Sequence, residues 1–279
     1  MAEPPQRLVA PRAANDNRRR SLLQRLTRAV FGLILLSCTV IPATSQAAAT
    51  TCSAPRDLLW LQAPLPRTAE RVSAHQPLTI VAIGSSSTEG VGASSPARSY
   101  PSQLEGELRG RFAEVPAVRV LNKGVGGEVA GQTLARFTAD VLEHKPDLVI
   151  WQVGSNDAAM QDLDLAAYEQ LVRGGIERLK AAGVDVLILD LQYAPMVLER
   201  SLSPRVEQIL VSLAEQEGVP VFQRFAVMRH WLDSGQLDFR AMLSADGLHM
   251  NDFSYGCLAR LMATAITDKT ALPMVASRR

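Results

Sequence analysis

Acyl transfer needs a hydroxyl to attack, a base to take its proton and a carboxylate to orient and stabilise that base. It also needs N–H donors for the oxyanion that forms. The 279-residue chain carries these groups in four short blocks. Gly84-Ser85-Ser86-Ser87-Thr88-Glu89-Gly90 puts three consecutive serines directly after the apolar run Val81-Ala82-Ile83. Asn122-Lys123-Gly124-Val125-Gly126-Gly127-Glu128 and Gly154-Ser155-Asn156-Asp157 follow two further apolar runs. Asp246-Gly247-Leu248-His249 stands near the end of the chain. Ser86, His249 and Asp246 supply nucleophile, base and orienting carboxylate in this reading. The backbone N–H groups of Ser86 and Gly127 and the side-chain amide of Asn156 supply the donors.

Each block alone has a plainer explanation. Glycine clusters after strands are often turn chemistry, because glycine accepts positive φ at little cost. Asn156 could be a turn residue and Asp246 a helix cap. The histidines narrow the choice. The chain has four, at positions 75, 144, 230 and 249. Only His249 sits three residues after an aspartate in a loop that contains glycine.

These blocks need a scaffold that brings them together. From Leu78 onward, strand-like and helix-like segments alternate. Short apolar runs at 78–83, 117–121, 148–153, 184–189 and 219–222 predict strands. The run at 148–153 is largely apolar on both faces, as in a buried parallel strand. Helical spacing of apolar residues predicts helices over 100–112, 134–142, 165–179, 227–232 and 254–267. A further helix begins near Ser203-Pro204, read as a cap followed by proline in the first turn. Alternation of this kind predicts an α/β domain, three layers deep, with about five parallel strands. Ligands bind such sheets at the carboxyl ends of the strands. The first three blocks fall there, and the fourth lies in a loop that can reach them.

With these four blocks in place, the sequence resembles the SGNH hydrolases, the GDSL esterase/lipase family. The family's first block reads Gly-Asp-Ser-x-Thr-x-Gly, against GSSSTEG here, which makes the middle serine, Ser86, the nucleophile. The oxyanion glycine matches Gly127, the asparagine of Gly-x-Asn-Asp matches Asn156, and Asp-x-x-His matches Asp246 and His249. The motifs span residues 78 to about 268. The resemblance implies a flavodoxin-like α/β/α fold and ester hydrolysis through an acyl-enzyme, with no cofactor and no metal. The family's aspartate before the nucleophile is Ser85 here. It is not a triad member, so Ser85 and Ser87 are expected to shape the turn. Acetylated carbohydrates, lipids and small acyl esters are the substrates implied. Trp151, Tyr193, Pro195 and Met196 could line a pocket for them, although Trp151 and Tyr193 are equally well explained as core. Two other readings are weighed. An envelope O-acyltransferase would use the same triad with a sugar hydroxyl in place of water. A nucleotide-binding module would use Gly124-Val125-Gly126-Gly127, but that run departs from Gly-x-Gly-x-x-Gly after Gly126.

With 29 basic and 28 acidic residues, the net charge is +1, which gives no global field for nucleic acid. The uneven part is the N-terminus. Arg18, Arg19, Arg20, Arg25 and Arg28 precede an uncharged apolar run from Ala29 to Pro42, and small residues follow to Ala49. Basic, apolar, small is the order of a secretory leader. Residues 1–50 are therefore read as leader, with cleavage near Ala47 or Ala49 and a periplasmic or extracellular destination. An uncleaved anchor is the alternative. Arg19-Arg20-Ser21-Leu22-Leu23-Gln24 also resembles a twin-arginine signal, and Leu35-Leu36-Ser37-Cys38 a lipoprotein box. Residues 51–77 read as an arm and 78–279 as the hydrolase domain. An exported compartment permits Cys52 and Cys257 to pair, tying the arm to the C-terminal region. Two unrelated thiols are the other reading.

Overall fold

The structure is a computed structural model, and it describes residues 52–271. The leader, with its arginine pair, its Cys38 box and its cleavage region, lies outside the described residues. In chain order the elements are α1 (Arg56–Leu59), α2 (Pro66–Ser73), β1 (Leu78–Gly84), α3 (Ser86–Glu89), α4 (Tyr100–Arg111), β2 (Val118–Gly124) and α5 (Ala130–Ala135). Then come β3 (Leu148–Gln152), α6 (Leu165–Ala181), β4 (Asp185–Leu189), α7 (Pro195–Leu198) and α8 (Ser203–Glu217). β5 (Val221–Phe222), α9 (Arg224–Asp233), α10 (Phe239–Met242) and α11 (Asp252–Ala271) complete the described chain.

The five strands form one parallel sheet in the order β2-β1-β3-β4-β5. The order reverses between β1 and β3. Right-handed crossovers then place α4 on one face of the sheet and α6 and α8 on the other. α4 packs with α11 and α2 lies against α11, while α6 packs with α5 and α8. The expected three-layer α/β architecture is present. Strand burial explains why apolar runs rather than alternating ones mark these segments. Every residue of β3 and β4 is buried. Each fully buried branched side chain contributes about 1.5–3 kcal/mol relative to exposure.

Residues 52–77 do more than trail from the domain. They carry Leu61, Leu65, Thr68 and Ala69 into the core. The docking is polar. Thr68 donates its amide and its hydroxyl to Asp185 Oδ2, each at 2.8 Å. Arg67 and Arg71 both reach Asp147 Oδ1, at 3.1 and 2.8 Å. Apolar periodicity is blind to contacts of this kind. Cys52 is bonded to Cys257 on α11, with Cα atoms 5.6 Å apart. Of the two readings of these cysteines, the structure has the bridge.

Three local expectations are corrected. The helix over 134–142 is not continuous: α5 ends at Ala135, a wide π turn covers Phe137–Val141 and a 3₁₀ turn covers Leu142–His144. The wider turn buries both Phe137 and Val141, with Phe137 edge-on to Trp151 at 4.9 Å. Pro146 then bars the helix from continuing. Ser203 is the first helical residue of α8 rather than its cap, and its hydroxyl donates to the Val197 carbonyl at 2.7 Å. The last strand is shorter than the apolar run, Val221–Phe222 alone.

Candidate active site

Ser86 opens α3 immediately after β1, with Ser85 in extended backbone as the preceding cap residue. The turn is seated by a buried glutamine on the neighbouring strand. Gln152 Oε1 accepts from the Ser85 amide at 2.8 Å, the Ser85 hydroxyl at 3.0 Å and the Thr88 hydroxyl at 3.2 Å. That is what Ser85 does in place of the expected aspartate. Thr88 Oγ1 also pairs with the Tyr100 hydroxyl at 3.1 Å. The end of β2 lies hard against this turn. A Cβ on Gly124 would fall 1.9 Å from the Glu89 amide nitrogen, so only glycine allows the approach.

His249 comes from the loop between α10 and α11. Its Nε2 lies 2.8 Å from Ser86 Oγ and its Nδ1 lies 2.6 Å from Asp246 Oδ2. Asp246 Oδ1 accepts from the Ser244 hydroxyl at 2.7 Å and from the amides of Leu248 and His249 at 2.9 and 3.0 Å. Partial burial works against ionisation of this carboxyl, but the His249 ring, the two amides and the Ser244 hydroxyl together hold it well below the usual carboxylate range. An ionised carboxylate can only accept. His249 Nδ1 must therefore carry the proton, which leaves Nε2 of the neutral ring free to accept the Ser86 hydroxyl. Asp246 is thus not a cap of α11.

Asn156 follows β3, the neighbour of the strand that leads into Ser86, at the point where the strand order reverses. Its Nδ2 donates one bond, to the Glu128 carbonyl at 2.9 Å, and a second N–H remains. This bond ties the third block to the second. Asp157 ties them again, accepting from the Ala130 amide at 2.9 Å and the Gly154 amide at 3.2 Å. Burial pushes the Asp157 carboxyl up, and those two amides offset part of the rise. Gly127 has φ +80°, a conformation that favours glycine and that turns the backbone of this loop. Among the described residues, neither the Ser86 nor the Gly127 amide has an acceptor. All five residues singled out from the sequence therefore stand at the carboxyl edge of the sheet or in the loop that overhangs it.

Of the expected pocket residues, Trp151 is core, fully buried against Phe137. Tyr193 packs on Phe225 and Phe239 at 4.9 and 5.8 Å between ring centroids. Pro195 lines an open groove of about 370 Å³ with Phe239, Leu243 and Gly247, beside the Asp246 loop. Met196 is exposed, as are Val91, Val125, Met160, Leu198 and Phe253. All six follow strand ends or the His249 loop in sequence. Sequence reasoning missed Gln152, Asp157 and Glu128, which hold the loops rather than face the solvent. The signal for Gln152 was its place as the one polar residue in the run LVIWQ.

The sequence model of the Non-GDSL lipase-like family matches residues 51–272. The match takes in residues 51–77, which the motifs alone did not reach. Esterase TesA of Pseudomonas aeruginosa is 28% identical over 131 residues, which cover 47% of this chain and 61% of that protein. The chain thus spans about three fifths of that relative's length. An arylesterase of Vibrio mimicus is 25% identical over 166 residues, covering 60% of this chain and 77% of that protein. Among solved structures, a two-domain esterase active on acetylated mannans superposes with a TM-score of 0.62 at 22% identity, covering 77% of this chain and 56% of that one. An acetyl xylan esterase from Geobacillus stearothermophilus gives 0.58 at 23% identity, covering 68% of this chain and 94% of that one. At such identities the structural likeness is one of fold.

Proposed function

The chain belongs to the Non-GDSL lipase-like family, of the SGNH hydrolase type, and from that premise we propose that it is an exported serine esterase. The observation that carries this reading is the continuous chain Ser86 Oγ, His249, Asp246, with contacts of 2.8 and 2.6 Å. His249 Nε2 takes the Ser86 proton as Oγ attacks the ester carbonyl. The developing oxyanion lies toward the amides of Ser86 and Gly127 and the free N–H of Asn156. Asp246 stabilises the imidazolium, which then gives its proton to the departing alcohol oxygen. Water enters, loses a proton to His249 and attacks the acyl-enzyme. The tetrahedral intermediate collapses, the acid leaves and Ser86 Oγ recovers its proton.

The substrate is a carboxylic ester: an acetylated carbohydrate, a lipid or a small acyl ester. The names of the structural neighbours favour the first. Two features support export. One is the basic, apolar, small order of residues 18–49, and the other is the Cys52–Cys257 bridge, which an oxidising compartment preserves. The test is hydrolysis of p-nitrophenyl acetate, butyrate and octanoate by the purified protein beside Ser86→Ala. The expected loss in the variant is on the order of 10⁶ in kcat. Equal activity in the variant removes Ser86 from the mechanism. Transfer of the acyl group to an added alcohol in preference to water turns the reading to an acyltransferase.

A further inference from the structure

Asn156 must present its amide accurately, since a misplacement of about 1 Å can cost 10²-fold in rate. Its own hydrogen bond to Glu128 fixes one N–H only. The residue before it is gripped by side chains from the segments that follow β4 and β5. Ser155 is buried, and its hydroxyl donates to Gln192 Oε1 at 2.6 Å. Its carbonyl accepts from Arg200 Nη1 at 2.5 Å. Gln192 Oε1 accepts in turn from Arg224 Nη2 at 3.1 Å, and the same nitrogen donates to the Asp190 carbonyl. Arg224 is fully buried, yet its Nε and Nη1 have no partner and no carboxylate lies within ion-pair distance among the described residues. Burying a guanidinium so incompletely satisfied is costly. What the buried guanidinium does hold is the segment after β4, and through it the turn after β3.

We propose that Gln192, held by Arg224, and Arg200 are positioning residues that clamp Ser155 and so set the Asn156 amide toward the oxyanion. The proposal rests on the esterase reading. Neither arginine need touch substrate. They act on a donor that does, so their loss should appear in kcat rather than KM.

The test is a double-mutant cycle on p-nitrophenyl acetate. Ser155→Ala removes only the hydroxyl that Gln192 grips, and Arg200→Met only the donor to the Ser155 carbonyl. Each is expected to lower kcat about tenfold or more with KM within about twofold. Arg200→Lys, which keeps a donor, should restore part of the loss. In an Asn156→Ala background, itself slower by about 10²–10³, the same changes should alter kcat less than about twofold, because the donor they position is gone. Circular dichroism and thermal melting establish that each variant is folded. A folded Ser155→Ala and Arg200→Met with unchanged kcat overturn the proposal. So do equal losses in both backgrounds, since the residues then act independently of Asn156. Those outcomes leave the esterase reading intact provided Ser86→Ala is inactive and Asn156→Ala is slow. An Asn156→Ala variant at full rate removes both the clamp and the oxyanion role it serves.

Discussion

The turn that carries Ser86 is built into the core, whereas the loop that carries His249 is built on the surface. Ser85, Ser87 and Thr88 are buried, and the turn's anchor, Gln152, lies 67 residues from Ser85 in sequence. The Asp246 side chain is 42% exposed. Its four hydrogen bonds all come from residues 244 to 249, and a bridge between Leu243 and Met250 closes the loop at its base. One half of the site is thus positioned by tertiary structure, the other by its own few residues. The difference should separate activity from stability.

The largest effect belongs to the local half. Asp246→Asn is expected to lower kcat by about 10³–10⁴, because an amide can donate to Nδ1 and favour the wrong tautomer. Thermal melting should barely move, since the group is exposed and its partners remain solvated. A fall in Tm comparable with that of a core variant would break the comparison. Gln152→Leu tests the other half. It leaves the buried Ser85 amide and hydroxyl without their acceptor and the Thr88 hydroxyl with Tyr100 alone, at a cost of about 1–3 kcal/mol in stability. Here urea unfolding and kcat should fall together. Retained stability with lost activity would mean that the nucleophile turn, too, is held locally. The remaining effect is a slope in pH. Burial pushes the Asp190 carboxyl up to about 8. The folded chain therefore holds a proton that the unfolded chain releases near pH 4. Stability from this group is full below about pH 4 and declines as pH rises through about 8. Asp190→Asn should flatten that decline in Tm between pH 5 and 8.

The same division decides what could be read from sequence. The Asp246-x-x-His249 spacing encodes its geometry locally, so residue type and separation were enough to single it out. The strands were legible because β3 and β4 are buried throughout and β1 is buried at all but Thr79, so each reads as a predominantly apolar run. What stayed hidden was long-range and polar. Gln152 and Gln192 look like ordinary strand-end residues until the sheet brings Ser85 and Ser155 to them. α2 docks through Thr68, Arg67 and Arg71 on aspartates, so no apolar stripe announced it. The π turn at Phe137–Val141 escaped because its apolar spacing fits a helix; only the packing against Trp151 demands the wider turn.

The Cys52–Cys257 bridge spans 205 residues and encloses all five strands and every block of the site. Covalently, the segment from Cys52 to Cys257 is a closed ring. A protease that cuts any one surface loop within the ring opens it without parting it. The product is two polypeptides held as one molecule by the disulfide, with Ser86 and His249 still covalently connected whichever loop was cut.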